Sequence, residues 1–144
     1  MVIKEQLPLK NLKIIIHDYA GHPFQLELSK QLSKKFIVYH FYYHNDYGPK
    51  ADFKDTLNNK LKIKGIGKNI SYDKNNFITR FFKDIEYGKE VSKQISEIKP
   101  DIVISGNCPT LAQELIIKSC HKNNSKFILW VQDFYSHAVK LLLK

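Results

Sequence analysis

Short apolar runs alternate with longer segments of helical periodicity along this chain, and each run ends in a polar or glycine-bearing loop. Lys13 to His17 (KIIIH) reads as a buried strand, and Pro23 stands where a first helical residue belongs. Phe24, Leu28 and Leu32 recur at helical spacing through Lys35, and Phe36 to Tyr42, β-branched and aromatic, reads as a second strand. A polar stretch from Tyr43 to Lys60 contains the breakers Asp46, Gly48 and Pro49. Leu61 to Ile66 then alternates as a half-exposed strand. Phe77 to Ile98 predicts a long helix with Ile78, Phe82, Ile85, Gly88, Ile95 and Ile98 on one face, stopped by Pro100. Asp101 to Ser105 is a fourth strand. A helix from Thr110 to about His121 follows, with Thr110 able to cap it and Leu111, Leu115 and Ile116 inward. Lys126 to Val131 is a fifth strand, and Ser136 can cap a last helix.

This order predicts an α/β fold, a Rossmann-like parallel sheet with helices on both faces and right-handed crossovers. Ligands in such sheets sit beyond the carboxyl ends of the strands, which singles out the loops after Ile16, Ser105 and Val131. The 144 residues suit a single domain, 1–144, long enough for a real core. The longest apolar run, Phe127 to Val131, is far below the ~20 residues of a membrane span, and the start MVIKEQLPLK is too polar for a signal peptide. Net charge is +9, and every basic residue except Arg80 is lysine. Bidentate base reading favours arginine, so a sequence-specific nucleic-acid reader is not expected. The excess fits weak attraction to an anionic surface, or solubility alone. Lys50 to Lys74, with seven lysines against three aspartates, is its densest stretch. Cys108 and Cys120 form no metal-ligand spacing and suit a reducing cytoplasm.

Three loops could carry chemistry. In His17-Asp18-Tyr19-Ala20-Gly21-His22, a glycine before a helix start lets backbone N–H groups approach an anion. Gly21 can equally be a turn residue only, and His17 and His22 acid/base groups or structural ones. The loop is not GxGxxG, which disfavours a dinucleotide site of the usual kind. Ser105-Gly106-Asn107-Cys108-Pro109 suits backbone-mediated binding; its position near a helix start can lower the Cys108 pKa, but no histidine spacing supports a catalytic thiol. In the third loop, Gln132-Asp133 follows a buried strand, and Asp133 can either orient a substrate hydroxyl or cap the next helix.

The segments HDYAGHPFQLELSKQL, RFFKDIEYG, PDIVISGNCPTLAQ and KFILWVQDFYS resemble, in order and spacing, the N-terminal domain of family 4 glycosyltransferases, in the colanic-acid, capsule and exopolysaccharide branch. The resemblance runs from about Lys13 to Leu143 and implies the GT-B architecture, two Rossmann-like domains facing across a cleft. It implies an acceptor-binding role for this half, a nucleotide-sugar donor held by the other half, and neither metal nor further cofactor. Carried over, Gly21 and His22 line the cleft near the donor phosphates, Asn107 and Pro109 form the wall after the fourth strand, and Arg80 lies near the acceptor end. Gln132 takes the slot where many members have histidine, leaving Asp133 to hold the acceptor.

The resemblance also implies that the rest of the N-terminal domain and the donor domain lie outside this chain. The expected activity is transfer of a sugar to a lipid-linked saccharide in surface-polysaccharide biosynthesis, the chain alone being inactive and its partner a donor domain in cis or in trans. The expected place is the cytoplasm, with peripheral contact at the inner face of an anionic membrane. The competing expectation is a non-catalytic binding or scaffold subunit that uses the same cleft for an anionic partner. A flavodoxin or response-regulator type domain fits least, because His17-Asp18 and Gln132-Asp133 stand where a receiver needs an acidic pair and a lysine.

Overall fold

The computed structural model describes residues 12–44, 59–67 and 77–131. Eight elements follow in chain order: β1 (Lys13–Asp18), α1 (Pro23–Ser33), β2 (Ile37–Tyr43), β3 (Leu61–Ile66), α2 (Phe77–Ile98), β4 (Ile102–Ser105), α3 (Thr110–Lys122) and β5 (Lys126–Leu129). The strands form one parallel sheet in the order β3-β2-β1-β4-β5, a Rossmann-like arrangement. The expected last helix from Ser136 and residues 45–58 of the polar stretch from Tyr43 to Lys60 lie outside the described residues.

Side chains alternate across a strand, so β1 feeds two cores. Ile14 and Ile16 join Val38 and Leu61 beneath α1, with Leu28 and Leu32 partly buried against them. Ile15 instead packs with Phe41, Tyr43 and Val103 under α2 and α3, where Tyr87, Val91, Ile95, Ala112 and Ile116 close the layer. α2 and α3 cross closely: a Cβ on Gly88 would stand 2.7 Å from the Ala112 Cα. The end of α2 is tied to the start of β1, since Lys13 N–H donates to the Asp101 carboxylate (2.8 Å) and Lys13 Nζ to the Ile98 carbonyl (3.1 Å).

Several expected contacts differ. Ile78 and Phe82 are 67% and 62% exposed, because α2 carries two apolar stripes and the sheet takes the one through Tyr87, Val91 and Ile95. Phe24 and Leu111 also face outward, while α1 buries Gln25, Ser29 and Ser33. The Ser29 hydroxyl pairs with His40 Nδ1 on β2 (2.7 Å), so a polar contact replaces apolar packing there. Thr110 is the first helical residue of α3 and not its cap; Pro109 holds the cap position without a side-chain hydrogen bond. Among the described residues no helix is long and apolar enough to cross a membrane.

Candidate functional site

The strand order reverses between β1 and β4: the chain leaves β1 into α1 on one face and β4 into α3 on the other. The crevice at their carboxyl ends is where such a sheet receives ligands. The Gly106 N–H donates to the His17 carbonyl (3.0 Å) and the Trp130 N–H to the Ser105 carbonyl (2.8 Å), so the loops after β1, β4 and β5 meet there.

Asp18 shapes the first loop. Its buried carboxylate accepts the His22 backbone N–H and lies 3.2 Å from His22 Nδ1, while the Gly21 N–H donates to the Asp18 carbonyl (3.2 Å). Gly21 has φ 77, the left-handed region where glycine carries no Cβ penalty. Burial raises the Asp18 pKa, and its contacts with His22 and Gly21 only partly oppose that. The turn N–H groups expected to face an anion therefore serve this carboxylate and carbonyl.

The rim is aromatic. The His22 ring stacks on Phe24 at 5.1 Å between centroids, and Phe24 meets Trp130 at 5.7 Å. On the α1 side Gln25 is fully buried against Gly106, where a Cβ would overlap its amide. Neither amide atom of Gln25 has a hydrogen-bond partner among the described residues.

Beneath the other side runs a polar chain. The Cys108 thiol donates to Gln113 Oε1 (2.8 Å), and Gln113 Nε2 donates to Ser105 Oγ (2.9 Å). Burial pushes the Cys108 thiol up to about 12, opposite to the lowering expected near a helix start, so it stays protonated at neutral pH. His17 is fully buried with Nδ1 3.4 Å from the Tyr87 hydroxyl, and burial followed by repulsion from His40 lowers it to about 3. It is a neutral structural residue. Tyr19, Tyr43 and Tyr87 form an aromatic cluster, and the Tyr19 hydroxyl donates to Asp84 (2.7 Å).

Of the residues singled out in the sequence, Gly21, His22 and Asn107 lie on loops that meet at this crevice, whereas Arg80 is exposed on the first turn of α2. Gln132 and Asp133 lie outside the described residues. Asp18, Gln25 and Asp84 were not singled out. Only Asp18 left a signal, an aspartate three residues before a glycine, as turns favour. Among the described residues no group of three His, Cys, Asp or Glu is placed to hold a metal ion.

No protein-family profile matches the sequence, and no curated protein matches it significantly. Solved structures do share its fold. The C-terminal domain of the PF1911 hydrogenase from Pyrococcus furiosus superposes with TM-score 0.59 at 13% identity, over 86% of this chain and 95% of that one. The Bordetella bronchiseptica enzyme WbmH, solved with NAD+, gives TM-score 0.53 at 15% identity, over 81% of this chain and 38% of its own length. CobK precorrin-6A reductase gives 0.51 at 8% identity, over 89% and 42% respectively. At these identities the likeness is one of fold: this chain is a Rossmann-like α/β domain.

Proposed function

We propose that the chain is the acceptor-side half of a glycosyltransferase that moves a sugar from a nucleotide-sugar to a lipid-linked saccharide in surface-polysaccharide biosynthesis. It works with a donor-binding domain in cis or in trans, at the cytoplasmic face of a membrane. The observation that carries this is the rim of the crevice, where His22, Phe24 and Trp130 form a ladder of rings beside small polar loops. Saccharides suit sites that combine aromatic surface with a few polar groups to fix orientation. The β1–α1 turn argues the same way. A dinucleotide needs free loop N–H groups for its pyrophosphate, and here Asp18 accepts those of His22 and Gly21. WbmH was solved with NAD+ on a related fold, but this turn is a poor phosphate cradle. Gly21 and His22 then shape the acceptor wall, and Asp133, with Gln132 beside it, remains the proposed group to hold the acceptor hydroxyl.

Trp130 is the chain's one tryptophan, so its emission reads the crevice directly. Titration with a water-soluble prenyl-diphosphate-linked monosaccharide is expected to change that emission saturably, and UDP-glucose is not. Saturable binding of UDP-glucose with no response to the saccharide overturns the proposal in favour of a nucleotide site. Joined to a donor domain, the wild-type chain should support sugar transfer that Asp133→Asn abolishes.

A further inference from the structure

The buried face of α1 carries a polar stripe, Gln25, Ser29 and Ser33, at helical spacing. Both serines are engaged: the Ser29 hydroxyl pairs with His40 Nδ1 (2.7 Å), and the Ser33 hydroxyl donates to the Lys30 carbonyl (2.8 Å). Gln25 is 0% exposed, and neither its Oε1 nor its Nε2 has a partner among the described residues. Native interiors leave few polar atoms unpaired, because such a group loses its water without a replacement. The amide lies against Gly106, where any Cβ would overlap it, but the Gly106 backbone is committed elsewhere. Its N–H donates to the His17 carbonyl (3.0 Å), and its carbonyl accepts the Ser105 hydroxyl (3.0 Å). Gln25 thus stands at the switch point of the sheet, in the first turn of α1 and against the first residue after β4. The Phe24 and Trp130 rings, 5.7 Å apart, reach from the start of α1 to the end of β5, and β4 lies between β1 and β5 in the sheet.

We infer that the Gln25 carboxamide reads two neighbouring hydroxyls of the sugar that stacks on these rings, an inference that rests on the acceptor reading above. A carboxamide sets an acceptor beside a donor, and a vicinal diol offers both functions in return. One hydroxyl donates to Oε1 while the next accepts from Nε2. A phosphate in that place would take Nε2 but face Oε1, acceptor against acceptor. A cation would meet the reverse conflict with the amide N–H groups. Rings for the apolar face of a sugar and an amide for its hydroxyls match a site of apolar surface with a few placed polar groups. Gly106 covers the amide with backbone alone, so the sugar reaches it when the loop after β4 moves off α1. Trp130 reports that movement, because its N–H is held by the Ser105 carbonyl at the base of the loop (2.8 Å).

The test is titration of Trp130 emission in the full chain with water-soluble prenyl-diphosphate-linked glucose and with its 2-, 3- and 4-deoxy forms. The 3-hydroxyl belongs to both neighbouring pairs on that ring. The 3-deoxy form should therefore bind about tenfold more weakly, and so should one of the other two but not both. Gln25→Met keeps the length of the side chain without the amide. It should bind the glucose ligand about tenfold more weakly and no longer distinguish the deoxy forms. Its urea midpoint should be no lower than that of the wild type, because the amide it loses has no partner to forfeit. Gly106→Ala, whose methyl would displace the amide, should lose the same discrimination. Equal affinity of the wild type for all the ligands overturns the inference and leaves the acceptor reading standing, as does a folded Gln25→Met chain that still separates them. No response of the wild type to any of them overturns the acceptor reading and this inference with it. Saturable binding of uridine that Gln25→Met abolishes also overturns it, assigning the amide to the edge of a base.

Discussion

The Tyr19 hydroxyl donates a 2.7 Å hydrogen bond to the Asp84 carboxylate, joining the loop after β1 to α2 across 65 residues of chain. The Tyr19 ring is held from two sides as well, stacked on Tyr43 at 5.0 Å and edge-on to Tyr87 at 4.9 Å. The loop that walls the crevice is therefore positioned by α2 as much as by its own turn. A hydrogen bond to a charged group contributes about 1.5–3 kcal/mol, and partial exposure places this one near the lower end. Tyr19→Phe keeps the ring and should cost about 1.5 kcal/mol in urea unfolding. Asp84→Asn should cost a similar amount, and the double variant should cost less than their sum. Fully additive losses would mean that the two side chains act separately.

Gly88→Ala sets two effects against each other. Alanine is favoured over glycine in a helix interior by about 1 kcal/mol. The added Cβ, however, would stand 2.7 Å from the Ala112 Cα and 3.1 Å from its carbonyl oxygen, so α2 and α3 would have to separate. Overpacking of this kind costs about 1–3 kcal/mol, and backbone cannot rotate away as a side chain can. The variant should be net destabilised, with a lower melting temperature. A stabilised Gly88→Ala would show that the helices part without loss.

Most of this architecture was legible in the sequence, because strand and helix periods differ and Gly and Pro punctuate them. α2 runs from Phe77 to Ile98 and β3 from Leu61 to Ile66, as the pattern predicts. Which face of α2 turns inward was legible only in part: Gly88 and Ile95 are buried as expected, whereas Ile78 and Phe82 are not. The helix carries one apolar stripe through Ile78 and Phe82 and another through Tyr87, Val91 and Ile95, and periodicity ranks neither. Gly88 marks the buried side only once Ala112 is known to face it. The same holds at the crevice. Gly21 announces its turn locally, whereas Gln25 against Gly106 and Tyr19 on Asp84 are long-range meetings that leave no spacing to find. At Cys108 the place near a helix start favours a lowered pKa, while desolvation of the thiol decides the opposite.

Two buried histidines make stability fall in mild acid. His17 is lowered to about 3 by burial and then by His40, and His40 to about 4 by burial, from an ordinary value of 6.5. Between those values and 6.5 the unfolded chain binds more protons than the folded one, so stability rises with pH through that window and is lost as pH falls. Each group contributes up to about 1.4 kcal/mol per pH unit there. Asp18 has the opposite sign: its raised folded pKa gives stability at low pH that is lost as pH rises, which offsets part of the effect at the acid end. The urea midpoint should therefore drop clearly between pH 7 and pH 5, and His17→Gln should flatten that drop. An unchanged pH dependence in the variant would mean that His17 does not carry it.

Phe24 separates recognition at the rim from packing in the core. It is 45% exposed although it opens α1, and its ring lies between His22 and Trp130, away from the residues that hold α1 to the sheet. Truncating this half-covered ring removes its contacts with His22 and Trp130 but none with the core, so Phe24→Ala should cost only about 1 kcal/mol of stability. If a saccharide lies along this ladder, the loss of one ring should weaken its binding about tenfold, which corresponds to about 1.4 kcal/mol. Trp130 emission reads the affinity in the same sample used for stability. Cys108→Ala is the control: its thiol is half-buried, protonated and engaged with Gln113, so the variant should bind saccharide as the wild type does. Unchanged affinity in a folded Phe24→Ala would remove the ring ladder from the acceptor site. A severe loss in Cys108→Ala with Phe24→Ala unaffected would move the site across the sheet to the Cys108-Gln113-Ser105 chain.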